Sequence, residues 1–165
     1  MNYSVHQLNS MNQDAFVEAL GAIFENTPAI AHQTWEHRPF SDLLSLSEQM
    51  ISIVNDLSLE EKLALIRAHP DLGTKAKMAE ASVREQAGVG LDRLSVEEFT
   101  RFQSLNQAYR HKFGFPFIIA VKDHTKESIL QSFEERLQND VTQEIERAIS
   151  EIARIAWFRL EGLVS

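Results

Sequence analysis

The chain has no cysteine. Disulfides, thiol nucleophiles and thiolate metal sites are therefore excluded, and a reducing compartment is compatible. Glycine and proline are scarce, at 6 and 4 residues, and they fall between the patterned segments. No repeat, linker or low-complexity tract divides the chain. Basic residues are also in deficit, 16 against 24 acidic, for a net charge of -8. Broad phosphate-backbone binding needs a basic surface, so no nucleic-acid partner is expected. No apolar run reaches the length of a membrane span, so no membrane partner is expected either. The N-terminus lacks the basic and apolar regions of a secretory signal. The last residues, Leu163-Val164-Ser165, are not a peroxisomal Ser-Lys-Leu address. A cytoplasmic location follows as the expectation.

What is present suits one domain over residues 1–165 with a sizeable core, since 44% of the residues are hydrophobic. Helical spacing dominates. Asp14 to Phe24 places Phe16, Leu20, Ile23 and Phe24 on one side, and Thr27-Pro28 ends it. A short helix runs through Trp35 before Arg38-Pro39 breaks the chain. Ser41 to Asp56 turns Leu43, Leu46, Met50, Ile53 and Val54 inward. Ser58-Leu59-Glu60-Glu61 and Ser95-Val96-Glu97-Glu98 are capping-box starts, for helices ending near His69 and Lys112. Thr125 to Gln138 and Val141 to Gly162 follow. With a short helix near Ser82, the expected fold is an all-α bundle of about eight helices.

One stretch breaks the helical rule: Phe115-Pro116-Phe117-Ile118-Ile119-Ala120-Val121. Proline forces the residue before it out of the α region, and β-branched residues favour an extended backbone. A lone extended segment among helices has no sheet partner. Its N–H and C=O groups need other loops, water or an amide-rich ligand.

Three places carry candidate chemistry. His69 precedes Pro70, so it sits where a helix stops, on a rigid corner. It is either a helix-ending cation favoured by the dipole or an imidazole directed into a cleft. Ser82-Val83-Arg84-Glu85 is either a capping box or, with Gln86, a ligand-facing helix start with unpaired N–H donors. In the last helix Ile145, Ile149, Ile152, Ala156 and Leu163 form an apolar stripe, and Arg159 lies inside it. An arginine aimed at the core either finds a partner in a pocket or snorkels to the rim. Arg154 and Glu151 fall on the opposite side and read as solvated charges. Trp157 and Phe158 lie beside the stripe, so the helix is either buried on two sides or meets a second subunit in a homodimer.

Other site classes are poorly represented. His32 and His37 are five apart and share no helix face; His6, His111 and His124 are scattered. There is no His-Glu-x-x-His pattern, no glycine-rich phosphate loop and no G-x-S-x-G elbow. No metal site and no cofactor are expected.

Several short pieces occur together in order: Phe24-Glu25-Asn26-Thr27-Pro28, Arg38-Pro39-Phe40, His69-Pro70-Asp71-Leu72-Gly73 and Ser82-x-x-Glu85-Gln86. They continue through Leu105-Asn106-x-x-Tyr109, Lys112-Phe113-Gly114-Phe115-Pro116-Phe117 and Arg159-Leu160. With these the chain resembles, over nearly its whole length, the family of 2-oxo-4-hydroxy-4-carboxy-5-ureidoimidazoline (OHCU) decarboxylases. The family acts in the last step from urate to (S)-allantoin. Ala29 departs from it, since relatives often carry an aromatic residue there.

The resemblance implies a cofactor-free decarboxylase acting on a small ureidoimidazoline. His69 takes the place of the catalytic histidine and Pro70 its pocket neighbour. Ser82, Glu85 and Gln86 resemble the substrate-facing helix start, with Glu85 as a catalytic group. The backbone of Phe117, Ile118, Ile119, Ala120 and Val121 resembles the ligand-contacting segment, and Arg159 the pocket arginine. The competing expectation from composition alone is a helical interaction module that binds a partner peptide in an apolar groove.

Overall fold

Short polar side chains open nearly every helix of this chain. In a computed structural model that describes residues 2–73 and 80–165, there are nine α-helices, one 3-10 turn and no strand among the described residues. The chain divides into two compact units, residues 1–65 with 153–165, and residues 66–152.

The first unit contains α1 (Val5–Ser10), α2 (Gln13–Leu20), α3 (Ala29–Trp35), α4 (Leu43–Asn55) and most of α5 (Leu59–Arg67). It also takes the last part of α9 (Val141–Leu163). Its core includes Phe16, Leu20, Phe24, Ile30, Leu46, Met50, Ala156 and Leu160. Helix α2 packs on α3 and α3 on α4. The chain ends meet: Tyr3 N donates to Leu163 O at 2.8 Å and Ser165 N to Tyr3 O at 2.9 Å.

Helix α1 is the element that sequence spacing missed. Ser4 accepts from Gln7 N at 3.1 Å while Gln7 Oε1 accepts from Ser4 N at 2.8 Å, a capping box in a segment too short to show periodicity. Helix α2 stops at Leu20, not Phe24. Ile23 N turns to Leu20 O at 3.2 Å, an i−3 bond that leaves the α-helical ladder, and Asn26 takes φ 48°; the carbonyls of Ala22 and Ile23 accept from Arg159, at 3.4 and 3.3 Å. Ile23 and Phe24 still reach the core from this turn.

The Arg38-Pro39-Phe40 piece is a clamp on α1. Its Arg38-Pro39 peptide is cis. The Arg38 guanidinium lies 3.9 Å over the Trp35 ring and donates to Asn9 O and Met11 O, each at 2.9 Å. The Asn9 amide closes a double bridge with Phe40, accepting from its N at 2.8 Å and donating to its O at 2.9 Å. Asn9→Ala strands both backbone groups beside a buried ring. The expected cost is about 1–3 kcal/mol of stability with unchanged catalytic constants, measured by denaturant unfolding and steady-state assay.

The second unit contains α6 (Glu80–Gly88), α7 (Val96–Phe113), the 3-10 turn η1 (Val121–Asp123), α8 (Lys126–Arg136) and the first half of α9. Its core is aromatic. The Tyr109 ring centroid lies 4.5 Å from that of Phe113 and 5.3 Å from that of Phe117, and Phe117 stacks on Phe133 at 3.7 Å. Gly114, at φ 79°, ends α7 in the left-handed conformation that glycine adopts without strain. The chain then enters the apolar segment, whose residues 115–121 are all buried and lie outside any helix up to η1.

Candidate active site

His69 stands just beyond the end of α5. Its N–H reaches Ile66 O at 3.2 Å, and the residue is 6% exposed. Three residues of the turn that follows it are pinned. Asp71 accepts from Arg110 Nε with both oxygens, at 2.9 and 3.1 Å. Leu72 O accepts from Asn106 Nδ2 at 2.9 Å. Gly73 N donates to Gln86 Oε1 at 3.0 Å. Gly73 has φ 68°, the left-handed conformation that glycine adopts without strain. The recurrent pieces around Asn106 and His69-Gly73 are thus one device. The polar face of α7 holds the corner on which the imidazole sits.

Helix α6 is already under way at Glu80. Ser82 is therefore its third residue and not its cap, and the capping-box reading of Ser82 and Glu85 is corrected. Ser82 and Gln86 are four apart, share a face and are each 6% exposed; Glu85 is half-buried. Val83 and Arg84 face solvent. Gln86 ties this buried face to the His69 turn, and α6 also packs against η1, the end of the apolar segment. His69, Pro70, Ser82, Glu85, Gln86 and residues 117–121 all belong to the second unit.

The segment's backbone is held by side chains and not by a strand. Arg136 Nη1 donates to Ile118 O at 2.6 Å, and Arg136 Cζ lies 4.3 Å from the Phe117 ring centroid. Ala120 N donates to Glu151 Oε1 at 3.3 Å. Arg136 is itself paired with Glu144 at 2.8 Å, with their side chains 3% and 0% exposed. Glu144 also accepts from Tyr109 Oη at 2.5 Å and from Asn139 Nδ2 at 2.9 Å. Burial first, and the hydrogen bond to Glu144 second, push the Tyr109 hydroxyl well above the usual tyrosine range.

Arg159 belongs to the first unit. Its side chain is 7% exposed and pairs at 2.9 Å with Glu25, which is 0% exposed. The arginine inside the apolar stripe has a buried partner and does not snorkel to the rim. The solvated reading of Glu151 is corrected. That side chain is 13% exposed and bonds the apolar segment. Arg154 is exposed and lies over the Phe158 ring. Ala29 is exposed at the start of α3.

Glu25, Arg136, Glu144 and Glu151 were missed as structural charges. The rule used for Arg159 finds two of them. Arg136 continues the buried Ile129, Phe133 stripe of α8, and Glu144 precedes buried Ala148 and Ile152 on α9. Glu25 lies in a turn and has no period to betray it. Among the described residues, no three His, Asp or Glu side chains converge as a metal site would require. No helix among them is long and apolar enough to cross a membrane.

The OHCU decarboxylase family model matches residues 9–161. The 2-oxo-4-hydroxy-4-carboxy-5-ureidoimidazoline decarboxylase of Halalkalicoccus jeotgali is 43% identical over 160 residues, 97% of this chain and 91% of that one. The protein of the same description from Haloferax volcanii is 41% identical, over 95% of this chain and 94% of that one. The crystal structure of an (S)-allantoin synthase superposes with a TM-score of 0.81 at 31% identity over 98% of this chain. This chain spans about half of that longer one, 54%. A helical fold among the described residues, a histidine corner held by α7 and α6, and relatives matched over nearly their full length converge: this chain belongs to the OHCU decarboxylase family.

Proposed function

We propose that this chain decarboxylates its ureidoimidazoline substrate as a cofactor-independent carboxy-lyase, releasing CO₂ and (S)-allantoin, with residues 1–165 acting as one domain. The carbon that loses CO₂ also bears a hydroxyl, and a C=N bond lies beside it. Cleavage sends the carboxylate's electron pair toward that C=N bond, so the substrate is its own electron sink. The nitrogen of that C=N bond takes up one proton, and the resulting enol loses its hydroxyl proton to give the carbonyl as the neighbouring carbon takes up a second proton on a single face.

In this reading neutral His69 draws the hydroxyl proton. The Glu85 carboxyl delivers the proton that sets the stereocentre. Pro70, Ser82, Gln86 and the backbone of Phe117, Ile118, Ile119, Ala120 and Val121 line the substrate. The observation that carries the reading is the buried His69 corner, pinned at Asp71, Leu72 and Gly73 and tied through Gln86 to the inward face of α6. A peptide-binding module has no use for a titratable side chain held this way. The enzyme works in the cytoplasm on a free small molecule.

The test is stereospecific. The unstable intermediate is generated from urate, and (S)-allantoin is followed by circular dichroism. Dialysed, chelator-treated protein retains its full rate; loss restored by a divalent metal overturns the cofactor-free mechanism. Glu85→Gln melts near the wild-type temperature while stereospecific turnover falls by about a hundredfold, the scale of a lost general acid. Normal turnover in that variant removes Glu85 from the proton steps.

A further inference from the structure

In an extended backbone, the N–H and C=O groups of alternate residues point to the same edge. The Ile118 carbonyl and the Ala120 N–H are both taken by side chains of neighbouring helices, Arg136 from α8 and Glu151 from α9. Residue 119 directs its peptide groups to the other edge. The two oxygens of Glu151 do different work. Oε1 accepts from Ala120 N at 3.3 Å, and Oε2 faces Arg147 Nε at 3.7 Å. Ala120 is 1% exposed, so water is a poor substitute for that acceptor. Arg147, by contrast, has a side chain 47% exposed.

We propose that Glu151 is a positioning residue for the decarboxylation. Its Oε1 fixes the plane of the Ala120 peptide, and this sets the opposite, substrate-facing edge of the segment. The proposal rests on the reading that residues 117–121 line the substrate. Arg136 anchors the segment at Ile118 from a fully buried ion pair, so it serves fold and site together. Glu151 stands at the margin of the core, and its removal tests the site with less effect on the fold.

The experiment compares Glu151→Ala, Glu151→Leu, Glu151→Gln and Arg147→Ala in the stereospecific assay, with melting temperature and hydrogen exchange of the Ala120 amide. In Glu151→Ala, KM rises about tenfold while kcat changes less than about threefold, the pattern of lost ground-state binding. The Ala120 amide exchanges faster. Glu151→Leu keeps the side-chain volume and shows the same rise, which covers a poorly folded alanine variant. Glu151→Gln retains an acceptor and restores KM. Arg147→Ala is silent. Wild-type KM in both Glu151→Ala and Glu151→Leu overturns the proposal, as does a loss of melting temperature with unchanged KM. If the unmodified enzyme yields no (S)-allantoin, the functional reading fails instead, and the two failures are distinct.

Discussion

His69→Asn lowers turnover by about a hundredfold or more while the protein stays folded. The size is that of a general acid–base group removed from a positioned site. The fold survives because the corner is held by bonds that do not use the imidazole: Arg110 on Asp71, Asn106 on Leu72 and Gln86 on Gly73. Asparagine fills part of the buried volume and keeps the backbone N–H that reaches Ile66 O. The measurement is kcat by (S)-allantoin ellipticity, with the thermal melt as control. Near-normal turnover in a folded His69→Asn protein would falsify the catalytic assignment and leave the histidine as a helix-ending residue.

Glu144→Gln is the substitution expected to cost the most stability. Its carboxylate and Arg136 are almost wholly buried, and neutralising one partner leaves the other charge unpaired in the core. Breaking such a pair costs about 3–5 kcal/mol. For a chain of this size that lowers the melting temperature by roughly 10 °C. The effect also reaches the site, because Arg136 holds Ile118 O and faces the Phe117 ring. Replacing both Arg136 and Glu144 by methionine removes the uncompensated charge and recovers much of the stability. It does not restore the hydrogen bond to Ile118, so KM stays raised. A Glu144→Gln protein within about 1 kcal/mol of wild type sinks this account. The Arg101–Glu134 pair makes the contrast. Its side chains are about half exposed, and its loss changes stability by less than about 1 kcal/mol.

Helices α3, α4, α5, α7, α8 and α9 were legible because apolar spacing, a capping pattern or breakers mark each of them. Leu46, Met50, Ile53 and Val54 are buried as their period requires, and Ser95 with Glu98 forms the capping box its pattern announces. The His69 corner was legible because Pro70 is a local rule. Arg159 was legible because a charge inside an apolar stripe has few places to go. Tertiary structure alone decided the rest. Helix α1 is too short to carry a period, and α2 ends four residues early in a turn whose Ala22 and Ile23 carbonyls are taken by a distant arginine. Ser82 lies inside α6, although Ser-x-x-Glu satisfies a cap pattern equally well in both registers. The apolar segment's missing hydrogen-bond partners are side chains from α8 and α9, at separations of 18 and 31 residues. Sequence states local preference, set by backbone sterics and by which face must leave water. Which distant side chain satisfies a given buried peptide group depends on how the helices pack, and no local pattern encodes that.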